Sequence, residues 1–199
     1  MRSDQWTELR SAQKRAGGSM RANPQGSYAE GGEIEVEVTL TAHQKGHFVF
    51  SACPIESTET IPTKECFEAN RLTFVKDLLD GAPFDTNHPE RAYVAPSTIE
   101  MRVNSDIEEF KDAMLFKYTL KLPPGLSGEL VLLQWYYVAS NTGCIHEGYE
   151  EYDFPEEWIK RLEVEEDGDG GPSAWEEKFS VGTGLKSCDE VLSEDGVSS

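Results

Sequence analysis

Strict alternation of apolar and polar side chains is the feature that most limits how this chain can fold. Between residues 33 and 41 every second side chain is apolar, and glutamates and threonines separate them. The apolar members are Ile34, Val36, Val38 and Leu40. Successive side chains of a β-strand point to opposite faces, so the segment is predicted to be a strand buried on one face. A turn signal, Gly31-Gly32, precedes it.

Two further segments follow the same rule. Residues 47–53 continue the alternation, and the polar linker His43–Gly46 predicts a hairpin-like connection from the first strand to this one. Residues 116–122 alternate until Pro123-Pro124-Gly125 ends the strand, because proline cannot donate to a sheet ladder. These segments add two strands to the prediction.

The run LVLLQWYYV at residues 130–138 is almost entirely apolar. Such a run predicts a central strand buried on both faces, with Trp135 and Tyr137 in the core and Tyr136 pointing the other way. Several short strands, turn residues between them and little helical periodicity together predict an all-β, antiparallel β-sandwich with long loops.

Length and charge limit the partners that the chain can bind. The 199 residues, 38% of them apolar, suffice for one domain with tails. Lys and Arg number 18 against 37 Asp and Glu, a net charge of -19, so nucleic acid and anionic membranes are poor partners, whereas an uncharged polysaccharide is tolerated. A well-solvated surface explains the same charge without any ligand.

No run approaches the roughly 20 apolar residues of a membrane span, and Met1 does not open onto a signal-peptide core.

The four cysteines, Cys53, Cys66, Cys144 and Cys188, lack the C-x-x-C spacing of zinc ribbons and thioredoxin-like sites. Two disulfides are the simplest interpretation of an even number of cysteines, and they would require an oxidising compartment. Buried free thiols are the alternative, because no signal peptide is visible.

Four segments of the chain occur in an order and spacing that resemble one family. They are TAHQKGHFVFSACP at 41–54, ECF at 65–67, LKLPPGL at 120–126 and LLQWYYVASNTGC at 132–144. Together they resemble the lytic polysaccharide monooxygenases of auxiliary activity family fifteen and the algal-type chitin-binding type-4 proteins. The resemblance covers about residues 16–192, which leaves residues 1–15 as a polar tail or short helix and residues 193–199 as a C-terminal tail.

The resemblance implies an immunoglobulin-like or fibronectin-like sandwich that presents a flat face to insoluble chitin or cellulose. It implies disulfides between Cys53 and Cys66 and between Cys144 and Cys188. It also implies that the protein is secreted.

Members of this family hold copper in a brace formed by the amine and imidazole of an N-terminal histidine, a second histidine and a nearby axial aromatic ring. Alignment on G-[HY]-F places Gln44 where the family has its second histidine, and His43 lies one residue earlier. Counting back from the last cysteine places Leu185 at the axial position, and a local insertion would place Phe179 there instead. The first histidine has no counterpart, so the chain is expected to be truncated upstream, with a degenerate copper site. Both His43 and His47 are predicted to be polar residues on a loop and a strand edge.

Aromatic side chains are candidates for stacking on sugar rings. Tyr149, Tyr152 and Trp158 lie in a long segment between strands, where exposed rings would be available for this role, and Tyr136 can serve either face of its strand. The alternative is a small core under that segment.

Three functions compete at this point. The first is a polysaccharide-binding domain without copper catalysis, which is not an enzyme as written. The second is a copper-dependent monooxygenase whose N-terminal histidine segment is missing from this chain. The third is an extracellular interaction sandwich without affinity for sugars, because the fold alone does not select a function.

Overall fold

Two three-stranded antiparallel sheets make up most of the described chain. The computed structural model describes residues 23–96, 113–140 and 146–158. The strands are β1 (Glu33–Leu40), β2 (His47–Ile55), β3 (Thr73–Asp77), β4 (Arg91–Tyr93), β5 (Met114–Lys121) and β6 (Leu130–Val138), with one short helix, α1 (Lys64–Ala69), between β2 and β3. The tails predicted at 1–15 and 193–199 lie outside the described residues.

The strand order is β1-β5-β3 in the first sheet and β4-β2-β6 in the second. Every pairing is antiparallel; for example, Ile34 lies opposite Leu120 in the first sheet and Phe48 opposite Tyr137 in the second. The prediction of an all-β antiparallel sandwich is confirmed. Within the described ranges, no helix is both long enough and apolar enough to cross a bilayer.

Interlocked aromatic rings join the two sheets. Phe48 of β2 is fully buried, and its ring centroid lies 5.9 Å from those of Phe116 and Tyr118 on β5. On its own sheet the same ring meets Trp135 at 5.5 Å and Tyr137 at 4.9 Å. All four contacts are edge-to-face, the arrangement that the charge distribution of aromatic rings favours.

The hairpin-like connection predicted at His43–Gly46 is wrong. β1 and β2 belong to different sheets, so this segment crosses from one layer of the sandwich to the other. Alternation shows only that two strands follow one another. Whether they pair or face each other depends on the turn geometry and on the core, which sequence periodicity does not report.

The prediction that β6 is buried on both faces is also wrong. Among the described strands β6 is an edge strand of its sheet, as β4 is at the other side, and Val131, Leu133 and Trp135 are each 39–48% exposed. Trp135 and Tyr137 do pack on Phe48, as expected for core-facing rings, but Trp135 is still 39% exposed and Tyr137 is half-buried. An apolar run shows that both faces are apolar and does not show that both are covered.

Helix α1 is fixed to β2 by a disulfide. Thr63 caps the helix by accepting a hydrogen bond from the backbone nitrogen of Cys66 at 3.2 Å. Cys66 is bonded to Cys53, which agrees with the pairing that the resemblance implied. Cys144 and Cys188 lie outside the described residues.

The crossover between the sheets depends on Gly46. Lys45 and Gly46 both have positive φ values, 59° and 82°, and the second is in the left-handed region that glycine tolerates best. A side-chain carbon at position 46 would overlap the carbonyl oxygen of Val138 and lie 3.1 Å from the backbone nitrogen of Ser140. The Gly46 carbonyl also accepts a hydrogen bond from Val94 at 3.0 Å. Position 46 therefore requires the absence of a side chain for two independent reasons.

We expect Gly46→Ala to lower the free energy of unfolding by about 3 kcal/mol or more, because left-handed strain of about 1–2 kcal/mol adds to a collision with backbone atoms. The matched control is Gly125→Ala, since Gly125 has the same φ of 82° but nothing within 4 Å of a new Cβ. It should lose only about 1–2 kcal/mol. Urea denaturation of both variants measures the difference, and equal losses would contradict the close approach at Gly46.

Candidate functional site at the crossover and the second sheet

Gln44, which the resemblance aligned with the family's second copper histidine, lies in the crossover before β2. The side chain of Gln44 is exposed, and its backbone is fixed at both ends. The Gln44 amide donates to the hydroxyl of Tyr137 at 2.9 Å, and its carbonyl accepts from the amide of Ser140 at 3.0 Å. The crossover is therefore held on the end of β6, with the Gln44 side chain directed away from the core.

The neighbouring His43 lies in the loop before β2 and is half-buried. Its Nε2 lies 2.8 Å from the carbonyl oxygen of Ala95, which can only accept, so Nε2 carries the ring proton. Its Nδ1 accepts from the amide of Lys45 at 3.1 Å. Burial lowers the pKa of His43 and the Lys45 charge lowers it further, although the hydrogen bond to Ala95 acts in the opposite direction. Both ring nitrogens of His43 are thus engaged.

These residues do not fit a copper brace as they stand. A metal-bound imidazole offers a ring nitrogen lone pair, and in His43 that lone pair accepts from Lys45. Across residues 23–96, 113–140 and 146–158, no three His, Cys, Asp or Glu side chains are grouped closely enough to hold a metal ion. The other proposed brace residues, Phe179 and Leu185, lie outside the described residues. His43 as a copper ligand remains a prediction that this geometry does not favour.

A segment after β6, residues 146–158, packs on the outer face of the second sheet, and we call it the clasp. Its buried rings surround Tyr93 of β4: Tyr152 stacks on it at a centroid distance of 3.8 Å, and Tyr149 meets it edge-on at 5.4 Å. Trp158 Nε1 donates to a carboxylate oxygen of Asp80, and the Tyr152 hydroxyl donates to the Pro83 carbonyl at 2.8 Å. The clasp thus ties the segment before β4 to the sheet.

Three of the four residues predicted to stack on sugars are core residues of the clasp. Tyr149, Tyr152 and Trp158 are 1%, 8% and 3% exposed. A sugar ring stacks on an open aromatic face, so their burial argues against this role, and it matches the alternative of a small core under the segment. Their role in sugar binding remains a prediction.

Tyr136 differs from these three because it is 38% exposed. It lies opposite Val49 in the register of β2 and β6, on the face of the sheet away from Phe48. Gln134 and Leu132 follow on the same face, since side chains alternate along a strand. The strip formed by Leu132, Gln134 and Tyr136 is the exposed outer strip of β6.

His47 was not recognised from the sequence as a buried residue that contacts the clasp. It is 4% exposed rather than an edge residue, and its Nδ1 lies 2.5 Å from the hydroxyl of Tyr149. Burial lowers the pKa of His47 well below its ordinary value, and the positive charge of Arg91 adds to the effect. The alternation of β2 placed His47 on the outward face of the strand. Residues on that face become buried if another segment covers it, and this was the one indication in the sequence that His47 could be buried.

Asp85 was also missed, and it organises the turn before β4. Its Oδ1 accepts from the amides of Asn87 and His88 at 2.9 and 3.0 Å, and its Oδ2 accepts from the Tyr93 hydroxyl at 2.8 Å. Burial alone would raise the pKa of Asp85, but these hydrogen bonds outweigh it and hold the pKa below the ordinary value. One carboxylate thus positions the ring on which the clasp packs.

We expect Asp85→Asn to reduce the free energy of unfolding at neutral pH by about 1–3 kcal/mol, because the amide nitrogen cannot accept from the Tyr93 hydroxyl. The carboxylate is favoured in the folded state, so its contribution is present above pH 3.8 and is lost as the pH falls below that value. Exposed Asp153 supplies the control, since Asp153→Asn should change stability little. Denaturant titrations of the two variants compare them; similar losses would contradict the role of Asp85.

Comparison with known proteins gives the family. A family model described as lytic polysaccharide mono-oxygenase, cellulose-degrading, matches residues 4–165. A solved structure, a lytic polysaccharide monooxygenase AA15 from Thermobia domestica in the Cu(I) state, aligns at 23% identity with a TM-score of 0.39. That alignment covers 57% of this chain and 46% of the other, so this chain spans less than half of that solved protein. The search of curated proteins found no match. Because the family model spans well over half of the 199 residues, the chain belongs to the lytic polysaccharide mono-oxygenase family.

Proposed function

We propose that this chain is a secreted polysaccharide-binding member of the lytic polysaccharide mono-oxygenase family that does not bind copper through the family's histidine brace. The observation that carries the proposal is the crossover before β2. The resemblance aligns Gln44 with the family's second histidine, and His43 beside it has both ring nitrogens in hydrogen bonds. The binding domain would extend over about residues 16–192, in the branch of the algal-type chitin-binding type-4 proteins.

Ligand chemistry supports the loss of the brace. An amide side chain is a much weaker copper ligand than imidazole, which suits copper well. His43 could bind the metal only after giving up the hydrogen bond from Lys45 or the one to Ala95, and either loss would leave a buried polar group unpaired. The backbone bonds of Gln44 to Tyr137 and Ser140 also hold the crossover in its present register.

The surface of the second sheet supports an uncharged polymer as the ligand. The outer strip of β6 presents an exposed tyrosine ring, a glutamine amide and a leucine in one row, with no charge among them. Sugars combine apolar ring faces with hydroxyl groups, which suits a flat strip of aromatic and amide groups. The net charge of -19 is compatible with a neutral polysaccharide such as chitin or cellulose.

Family membership favours a second candidate, a copper-dependent monooxygenase in which an N-terminal histidine completes the copper brace. In that case the free amine and its imidazole would supply two nitrogen ligands, and His43 would have to turn towards them. The two candidates differ in whether the crossover takes part in copper binding.

Copper titration distinguishes them. We expect no tight Cu(II) site at the crossover in the wild-type chain, and we expect Gln44→His to bind Cu(II) about tenfold or more tightly than wild type, because it restores an exposed imidazole. Isothermal titration calorimetry and electron paramagnetic resonance measure this. The control His43→Gln should not change wild-type binding. Tight wild-type binding that His43→Gln abolishes would overturn the proposal in favour of the second candidate.

Retention on insoluble polymer tests the binding role. Wild type should be retained on chitin or cellulose, and Tyr136→Ala should weaken retention about 2- to 12-fold, because one aromatic stacking contact is worth roughly 0.5–1.5 kcal/mol. Tyr28 is a matched control, since it is 58% exposed but precedes β1, so Tyr28→Ala should bind as wild type does. If wild type is retained on neither polymer, the chain is instead an interaction sandwich without sugar affinity.

A further inference from the structure

A buried polar pair attaches the clasp to β2. Its other described polar bonds reach the segment before β4, β4 itself and the end of β6; for example, Arg91 Nη1 donates to the Glu147 carbonyl at 2.7 Å, and His146 Nε2 donates to the Ala139 carbonyl at 2.9 Å. Only the hydrogen bond between His47 and Tyr149 joins a buried titratable side chain of β2 to the clasp among the described contacts. Protonation of His47 would therefore directly affect how the clasp packs on β2.

Cationic and aromatic groups surround His47. Arg91 and Tyr93 face it from β4, His88 from the turn before β4, and His146 and Tyr149 from the clasp. The charged groups that act on His47 are all positive when ionised. The carboxylate of Asp85 is bound to Tyr93 and to the backbone of His88 instead. A proton on His47 would thus place a second cation beside the Arg91 guanidinium, and no carboxylate of the described residues is among the charged groups that act on it.

Tyr149, the partner of His47, cannot balance the charge of a protonated His47 by ionising to a phenolate. Burial raises the pKa of Tyr149 well above its ordinary value, so the phenol stays neutral across the physiological range. The guanidinium of Arg91 lies over the Tyr149 ring at 5.7 Å, where it is attracted to the ring face and remains in place. His47 therefore stays neutral while the clasp is closed.

We propose that the His47–Tyr149 pair is an acid-sensitive latch, which holds the clasp on β2 at neutral pH and releases it when His47 takes up a proton.

The sign of the effect follows from linkage. In an open form His47 meets water and takes up a proton near its ordinary pKa of 6.5, whereas in the closed form burial keeps the pKa well below that value. The latch is thus fully effective above pH 6.5 and weakens as the pH falls below it. The closed-to-open ratio falls roughly tenfold per pH unit while the closed form stays unprotonated, or about 30-fold between pH 7.5 and pH 5.0.

Release would uncover the aromatic rings that the clasp and β4 now bury against each other. Tyr93, Tyr149 and Tyr152 are at most 8% exposed in the closed form. They pack on the same outer face of the sheet as Tyr136, because His47 and Val49 both point to that face. Acid would therefore enlarge the aromatic surface beside the outer strip of β6.

Hydrogen exchange of the intact chain measures the latch directly, with labelling times scaled for the pH dependence of intrinsic exchange. In wild type, amides of residues 146–158 should lose about 30-fold of their protection between pH 7.5 and pH 5.0, whereas amides of β5 should change much less. Loss of protection in β5 to the same extent would indicate global unfolding and would overturn the proposal. So would unchanged protection of the clasp.

Two variants separate the latch from the other histidines. His47→Gln keeps a polar partner for Tyr149 but cannot titrate, so its clasp should show no more than about a threefold acid response. Tyr149→Phe keeps the ring and removes the hydroxyl, so its clasp should already be less protected at pH 7.5. If the clasp of His47→Gln opens in acid as wild type does, His88 or His146 is responsible and the latch assignment is wrong. Should His47→Gln fail to fold, His88→Gln and His146→Gln decide the question, because both should keep the acid response of wild type if His47 is the group that titrates.

Discussion

The edge-to-face packing of Phe48 is the contact on which the rest of the described structure depends. Its ring contacts β5 across the core and β6 within its own sheet. These contacts fix both the distance between the two sheets and the position of β6. Edge-to-face pairs favour particular angles as well as burial, which makes this a specific contact rather than a general apolar one. Strand β2 then becomes the reference for everything that packs outside it.

The crossover before β2 transmits that position to the candidate site. Gly46 lets the chain approach the backbone of Val138, and the backbone of Gln44 is then bonded to Tyr137 and Ser140 at the end of β6. With the crossover held so closely, His43 falls beside Ala95 and uses both ring nitrogens inside the protein. The same constraint leaves Gln44 facing solvent. The chemistry available at this edge is therefore a consequence of backbone packing.

One part of the outer face of the second sheet is covered by the clasp, and another part is exposed. At the end near His47 and Tyr93 the clasp covers the sheet with its own aromatic rings, so these rings contribute to stability. Farther along β6 the face is open at Tyr136. Aromatic residues of similar appearance in the sequence thus differ in exposure, because a single segment covers some of them and not others.

Local patterns in the sequence were enough to predict the all-β class and four of the six described strands, β1, β2, β5 and β6, because alternation is a property of adjacent residues. Tertiary packing was needed to show that the 43–46 segment crosses between sheets, that β6 is an edge strand of the described sheet, and that Tyr149, Tyr152 and Trp158 are buried. It also decided the pairing of His47 with Tyr149, which lie 102 residues apart. Contacts over such separations depend on how layers stack and which loop covers which face, and no local pattern in the chain records that.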